Sequence, residues 1–189
     1  IPASQCTVIM GNNGAGKSTL IKALLTEQDT VKKANGLKIG YFDQNHGQLD
    51  KTQTALTNVR TKSTMPEHQI RTVMANLYLK EADIFKTVDQ LSGGERAKVA
   101  FAQLLCGDYN CLILDEPTNH LDSYTTEALE ILLQKWRGTL LIVTHDRQLC
   151  DKIAQQLLMV KNGIVTAFHG NWSQYESALQ PIPTEKSDQ

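Results

Sequence analysis

The stretch Gly11-Asn12-Asn13-Gly14-Ala15-Gly16-Lys17-Ser18 places two glycines, a lysine and a hydroxyl in the pattern G-x-x-x-x-G-K-S. The chemistry that uses these residue types in this order is polyphosphate binding. The glycines let backbone N–H groups turn inward with no Cβ in the way. Lys17 offers a point charge to the terminal phosphates, and the Ser18 hydroxyl can ligate Mg²⁺. Thr19 follows in the first turn of a helix, whose dipole and free amides add to the site. A Gly-Asn turn beside a solvated lysine is the plainer alternative. The apolar run CTVIM before the pattern and LIKALL after it supply the strand–loop–helix context that favours the phosphate reading.

A second stretch, CLILDEPTNHLD, reads as a buried strand that ends in two carboxylates, Asp115 and Glu116. A carboxylate at the end of an apolar strand is costly to bury. A metal ion offsets that cost, and Asp115 is spaced to hold Mg²⁺ through water. Glu116, one residue further, can polarise an attacking water. Capping of the next turn is the plainer use of both. A third stretch, LSGGE, carries the S-x-x-E spacing of a capping box between Ser92 and Glu95. The cap does not account for Gly93 and Gly94, since each glycine costs about 1 kcal/mol in a helix. A helix start whose amides approach a phosphate does.

These groups need elements to position them. QCTVIM is a strand, STLIKALLTEQ a helix with Leu20, Ala23, Leu24 and Leu25 on one face, and NGLKIGYFDQ a turn and strand ending at Gln44. From Thr52 to Val88 the pattern is helical and interrupted at Pro66. A helix begins at Ser92; CLILD is a strand; TTEALEILLQKW is a helix with Leu129, Leu132, Leu133 and Trp136 on one side, ended by Gly138. TLLIVTH is a strand, RQLCDKIA a helix, and QLLMVKNGIVTAF a hairpin turning at Asn162-Gly163. Strands alternating with helices predict an α/β fold: a mainly parallel sheet with helices on both faces. One domain over residues 1–180 is expected, with a helical subdomain at about 52–106 and a polar tail at 181–189.

Composition bounds the rest. The chain has 189 residues, 41% of them apolar, and a net charge of -1, which provides no broad field for nucleic acid or membrane. The four cysteines lack C-x-x-C spacing and sit in apolar runs, which predicts buried free thiols and a reducing, cytoplasmic setting. No run reaches the ~18–20 apolar residues that span a bilayer. The chain begins at Ile1 and enters an apolar run almost at once, so it reads as a piece of a longer protein.

Taken together, the phosphate loop, the Asp115-Glu116 strand and LSGGE resemble the ATP-binding cassette family over nearly the whole chain. That resemblance implies a P-loop NTPase fold of the RecA-like kind, with ATP and Mg²⁺ as cofactors. It adds Gln44 as a Mg²⁺ and water contact and His145 as the residue touching the γ-phosphate. It assigns Ser92, Gly93, Gly94 and Glu95 to an ATP held by a second cassette, and Asn119 to Asp122 to a loop crossing that interface. His46, His68 and His169 read as ordinary surface residues. DEPTNHLD, together with HGNWSQYESAL, is similar to the ABC-F group, ATPases with two cassettes that work on the ribosome, and the chain looks like the second of the two. Translation factor and ribosome protection against antibiotics both stay open. The aromatic residue that stacks on adenine in the family lies upstream of the loop, before Ile1. The rivals are a motor subunit of a membrane transporter and a cassette that binds ATP without turnover.

Overall fold

The computed structural model describes residues 1–26, 32–43, 48–119 and 121–179. Gln44, His46, His120 and the tail expected at 181–189 lie outside the described residues. Six strands form one sheet: β1 (Cys6–Met10), β2 (Ile39–Phe42), β3 (Cys111–Asp115), β4 (Thr139–Val143), β5 (Gln156–Lys161) and β6 (Ile164–His169). Their order is β2-β3-β4-β1-β5-β6. The first five are parallel, and β6 pairs antiparallel with β5 across the Asn162-Gly163 turn. β4 thus lies between the strand that feeds the phosphate loop and the strand that ends in Asp115.

The pleat sorts the apolar residues of the central strands into two layers. Val8, Leu112, Leu114, Leu140 and Ile142 face the larger core; Ile9, Ile113, Leu141 and Val143 face the smaller one. Helix α1 (Lys17–Leu25) covers the smaller side, burying Ile21 and half-burying Leu20, Leu24 and Leu25. Ile21 rather than Ala23 is the centre of its buried face.

On the larger side lie α2 (Ala55–Arg60), α3 (Glu67–Asn76), α4 (Glu81–Ile84), α5 (Gly93–Cys106), α6 (Ser123–Gln134) and α7 (Arg147–Ile153). Pro66 is the N-cap of α3, where its missing N–H costs nothing. The helical segment shares one core with the sheet: Phe42 of β2 stacks on Phe101 of α5 with ring centroids 4.0 Å apart. Buried Asn58 satisfies that segment internally, donating to Asp50 O and Thr54 O while Gln103 Nε2 donates to Asn58 O. Residues 52–88, read as irregularly helical, hold three short α-helices, of which α2 and α3 bury Val59, Ile70 and Met74 in the core they share with α5.

A last helix, α8 (Trp172–Leu179), follows β6 and was not assigned from the sequence. All four cysteines are buried and free, and burial pushes the Cys6 thiol up to about 12. Among the described residues, no helix is long and apolar enough to cross a membrane.

Candidate functional site

The loop from Gly11 to Gly16 joins β1 to α1 at the C-terminal edge of the sheet. Gly11 passes so close to β5 that a Cβ there would lie 2.3 Å from the Val160 carbonyl oxygen. Gly16 takes φ +107 as the N-cap of α1, and no side chain caps that helix. Its first amides therefore have no side-chain cap, and an uncapped helix start is suited to an anion. Lys17 is 9% exposed, and its ammonium donates to the Gly11 and Asn12 carbonyls at 2.6 and 3.1 Å. The lysine thus ties the start of the loop to its end.

The other half of the site comes from β3 and β4. Glu116 follows β3 with φ +48, a left-handed conformation that costs a residue with a Cβ about 1–2 kcal/mol. Its N–H donates to the Val143 carbonyl at 2.8 Å, which pins the turn to the end of β4. His145, two residues beyond β4, brings its Nε2 to 3.4 Å from Glu116 Oε1. The histidine is held by its neighbours. Thr144 is fully buried, and its Oγ1 accepts from Asp146 N; Asp146 caps α7 by accepting from Gln148 N and Leu149 N. Strain and pinning of this kind are typical of groups that must be aimed.

A cavity of about 300 Å³ opens between the two halves, lined by Asn13, Gly14, Gly16, Lys17, Ser18 and Thr19 on one side and Asp115, Glu116 and Val143 on the other. Gly11, Asn12 and Ala15 lie on the opposite flank of the loop, toward β5. The structure brings together the phosphate loop, both carboxylates and His145. It keeps Ser92, Gly93, Gly94 and Glu95 out of that cavity's lining. Those four form the N-terminus of α5, where Ser92 N donates to Glu95 Oε2 at 2.8 Å and Glu95 N to Ser92 Oγ at 3.3 Å. Two hydrogen bonds from Ser92 hold the Glu95 carboxyl below its usual range. A Cβ on Gly93 would meet nothing within 4 Å, so packing inside this chain does not require the glycine.

Burial and crowded negative charge perturb both carboxylates of the cavity. Burial and then the neighbouring charge of Asp43 push the Asp115 carboxyl above its ordinary value, against the pull of Lys17. Burial does the same to Glu116 despite His145. Asp43 did not stand out in the sequence. Its signal is positional: Phe42 pairs with Leu114, so Asp43 follows β2 where Asp115 ends β3. Among the described residues no three His, Cys, Asp or Glu side chains cluster as a metal cage.

Asp122 also has a local role. It caps α6, accepting from Thr125 N and Oγ1, and its carboxylate lies 3.3 Å from Lys98 of α5. These contacts hold its pKa down at about 2. Lys98, which ties the loop after Glu116 to the helix that begins at Ser92, was likewise missed from sequence, because its partner lies on another element.

Comparison with known proteins agrees with this geometry. Residues 1–119 match the family model described as "ABC transporter". The chain is 36% identical over 191 residues to the ATP-binding protein YdiF of Bacillus subtilis, covering 98% of this chain and 30% of that protein. It is 38% identical over 178 residues to ATP-binding cassette sub-family F member 3 of Mus musculus, covering 91% of this chain and 25% of that protein. The chain therefore spans about a quarter to a third of these relatives. A solved dimeric, post-hydrolysis structure of the ATP-binding cassette MJ0796 with ADP and Pi superposes with a TM-score of 0.73 at 26% identity, covering 88% of this chain and 85% of that one. The chain belongs to the ABC transporter family, whose cassettes bind ATP with Mg²⁺.

Proposed function

We propose that this chain is the second cassette of an ABC-F protein, hydrolysing Mg-ATP in a head-to-tail pair with a first cassette and acting on the ribosome. The observation that carries the ATPase reading is Glu116. It is held in a left-handed turn, pinned to Val143, and placed beside both His145 and the phosphate-loop cavity. Lys17, Ser18 and the amides from Gly11 to Thr19 bind the phosphates. Asp115 and Gln44 would hold Mg²⁺, which when bound would offset the negative charge of the phosphates and carboxylates. Glu116 takes the proton of the attacking water, and its raised pKa makes it a stronger base. His145 contacts the γ-phosphate. Ser92, Gly93 and Gly94 serve an ATP bound to the other cassette, and the dimeric state of MJ0796 in its solved structure supports such pairing. The ribosomal role rests on similarity to the ABC-F relatives, and translation factor and ribosome protection are its two forms.

The test is Glu116→Gln in the full protein, with phosphate release, ATP affinity and ribosome co-sedimentation measured. ATP binding should persist while turnover falls by about 10²–10⁴, and the variant should stay on ribosomes. Turnover near normal removes Glu116 from this role; lost turnover without ribosome retention removes the ribosome. The transporter alternative draws on a groove of about 490 Å³ between α3 and α4, lined by His68, Arg71 and Glu81, which could receive a helix of a membrane partner. Co-fractionation of the protein with membranes instead of ribosomes would favour it.

A further inference from the structure

None of the residues in the run HGNWSQYESAL, His169 to Leu179, lines the cavity that holds Lys17 and Glu116. The helix it forms, α8, buries no residue fully. It is nevertheless tied down at several points, and most of them lie on α7. The Arg147 guanidinium sits over the Trp172 ring, 4.6 Å from its centroid, which is a cation–π distance. Arg147 Nη1 also reaches Glu176 Oε1 at 3.7 Å. One turn along, Asp151 accepts from Ser173 N and Ser173 Oγ, both at 2.7 Å, and its carbonyl accepts from Asn171 Nδ2 at 3.4 Å. Arg147 and Asp151 are spaced i, i+4 and share one face of α7, as Trp172 and Glu176 share one face of α8. The other face of α7 turns Leu149, Cys150 and Ile153 into the core. Tyr175 anchors α8 in turn, since its ring meets Phe168 of β6 edge-on at 5.4 Å.

The position of α7 matters because of what precedes it. The helix has only seven residues, too few to be stable without tertiary support. It begins at Arg147, two residues after His145. The His145 side chain is 51% exposed, so packing does not fix where it points. Its approach to Glu116 is set by the backbone between β4 and α7. On the β4 side, Thr144 Oγ1 accepts from Asp146 N at 3.0 Å. On the other side, Asp146 caps α7, so a shift of the first turn of α7 carries His145 with it.

We infer that Trp172 and Arg147 form a clamp that positions His145, so that the aromatic run is a positioning element of the ATPase site. The inference rests on the proposal that His145 contacts the γ-phosphate. Neither Trp172 nor Arg147 lines the cavity; both act through the first turn of α7.

The experiment measures phosphate release and equilibrium Mg-ATP binding in the full protein. Trp172→Leu keeps apolar bulk but removes the ring face beneath Arg147. It should slow release about 10-fold, as a small misplacement of an aimed group does, and leave Mg-ATP affinity unchanged because the phosphate loop is untouched. Trp172→Phe keeps a ring there and should restore most of the rate. The decisive comparison is a double-mutant cycle with His145→Ala. A clamp that acts through His145 has nothing left to position in that background, so Trp172→Leu should then have no further effect. A loss of equal size in both backgrounds would mean that α8 only stabilises the fold, and it overturns the inference, as does normal turnover of Trp172→Leu. Arg147→Met runs the same cycle from a side chain that is 64% exposed, so a poorly folding Trp172 variant does not stop the test. If His145→Ala itself turns over normally, the reading of His145 falls first and the clamp falls with it.

Discussion

At the scale of single residues, the site is built from groups held where they are uncomfortable. Asp115 ends an apolar strand beside Asp43, and Glu116 adopts a left-handed turn. Both carboxyls have raised pKa values, so ionising them opposes folding. That cost is present in full above the folded pKa and disappears as pH falls toward the unfolded value. Asp115→Asn should therefore raise the melting temperature of the nucleotide-free protein at pH 7. The gain should shrink as pH falls and vanish below the ordinary aspartate value of 3.8. The same variant should lose the stabilisation that Mg-ATP confers on the wild type. Thermal melts across pH, with and without Mg-ATP, test both; a pH-independent gain would mean that shape rather than charge is responsible.

Elements convert those residues into a machine through their ends. Each site group sits at a strand terminus or helix start: Lys17 at α1, Ser92 at α5, Asp122 at α6 and Asp146 at α7. Asp122 joins two of these elements, because it caps α6 and pairs with Lys98 of α5. Replacing it by alanine should cost about 1 kcal/mol of stability, read by denaturant unfolding. Asp122→Asn should cost less, since an amide still accepts from Thr125 N. The contribution of the charged carboxylate is present above 3.8 and is lost as pH falls through about 2. The difference in stability between the wild type and Asp122→Asn should therefore close in that acid range. If alanine and asparagine are equally costly at pH 7, the Lys98 pair outweighs the cap.

For the molecule as a whole, the important fact is that Ser92, Gly93 and Gly94 contribute nothing to the lining of the cavity that holds Lys17 and Glu116. Gly93 and Gly94 stand at an exposed helix start whose glycine at 93 is not demanded by packing. On the pairing proposed above, a single chain supplies both halves of a composite site. Taken alone, it should hydrolyse ATP about 10²–10³-fold more slowly per site than the complete protein, because preorganised donors of this type contribute that much. Specific activity of the isolated chain should also rise with concentration as copies pair. Equal activity per site in dilute solution, with no concentration dependence, would mean that the α5 amides are not used in trans.

How much of this could be read from the chain alone depends on the range of the forces involved. The phosphate loop, the apolar strand ending in Asp115-Glu116 and the Ser92–Glu95 box are patterns of neighbouring residues, and local backbone rules are enough to specify them. The alternation of strands and helices followed from hydropathy period in the same way, and the Asn162-Gly163 hairpin from its turn residues. Other features depend on partners far along the chain. Insertion of β4 between β1 and β3 is decided by which apolar faces bury together, and it alone brings His145 against Glu116. The register of β2 on β3 brings the charge of Asp43 to bear on Asp115. Docking of α8 on α7 carries Tyr175 to the flank of a loop near the other end of the chain. Local patterns of residues fix which groups can do chemistry; the packing of strands and helices fixes which of them meet, because side-chain contact between distant segments is a property of the sheet order and not of any local period.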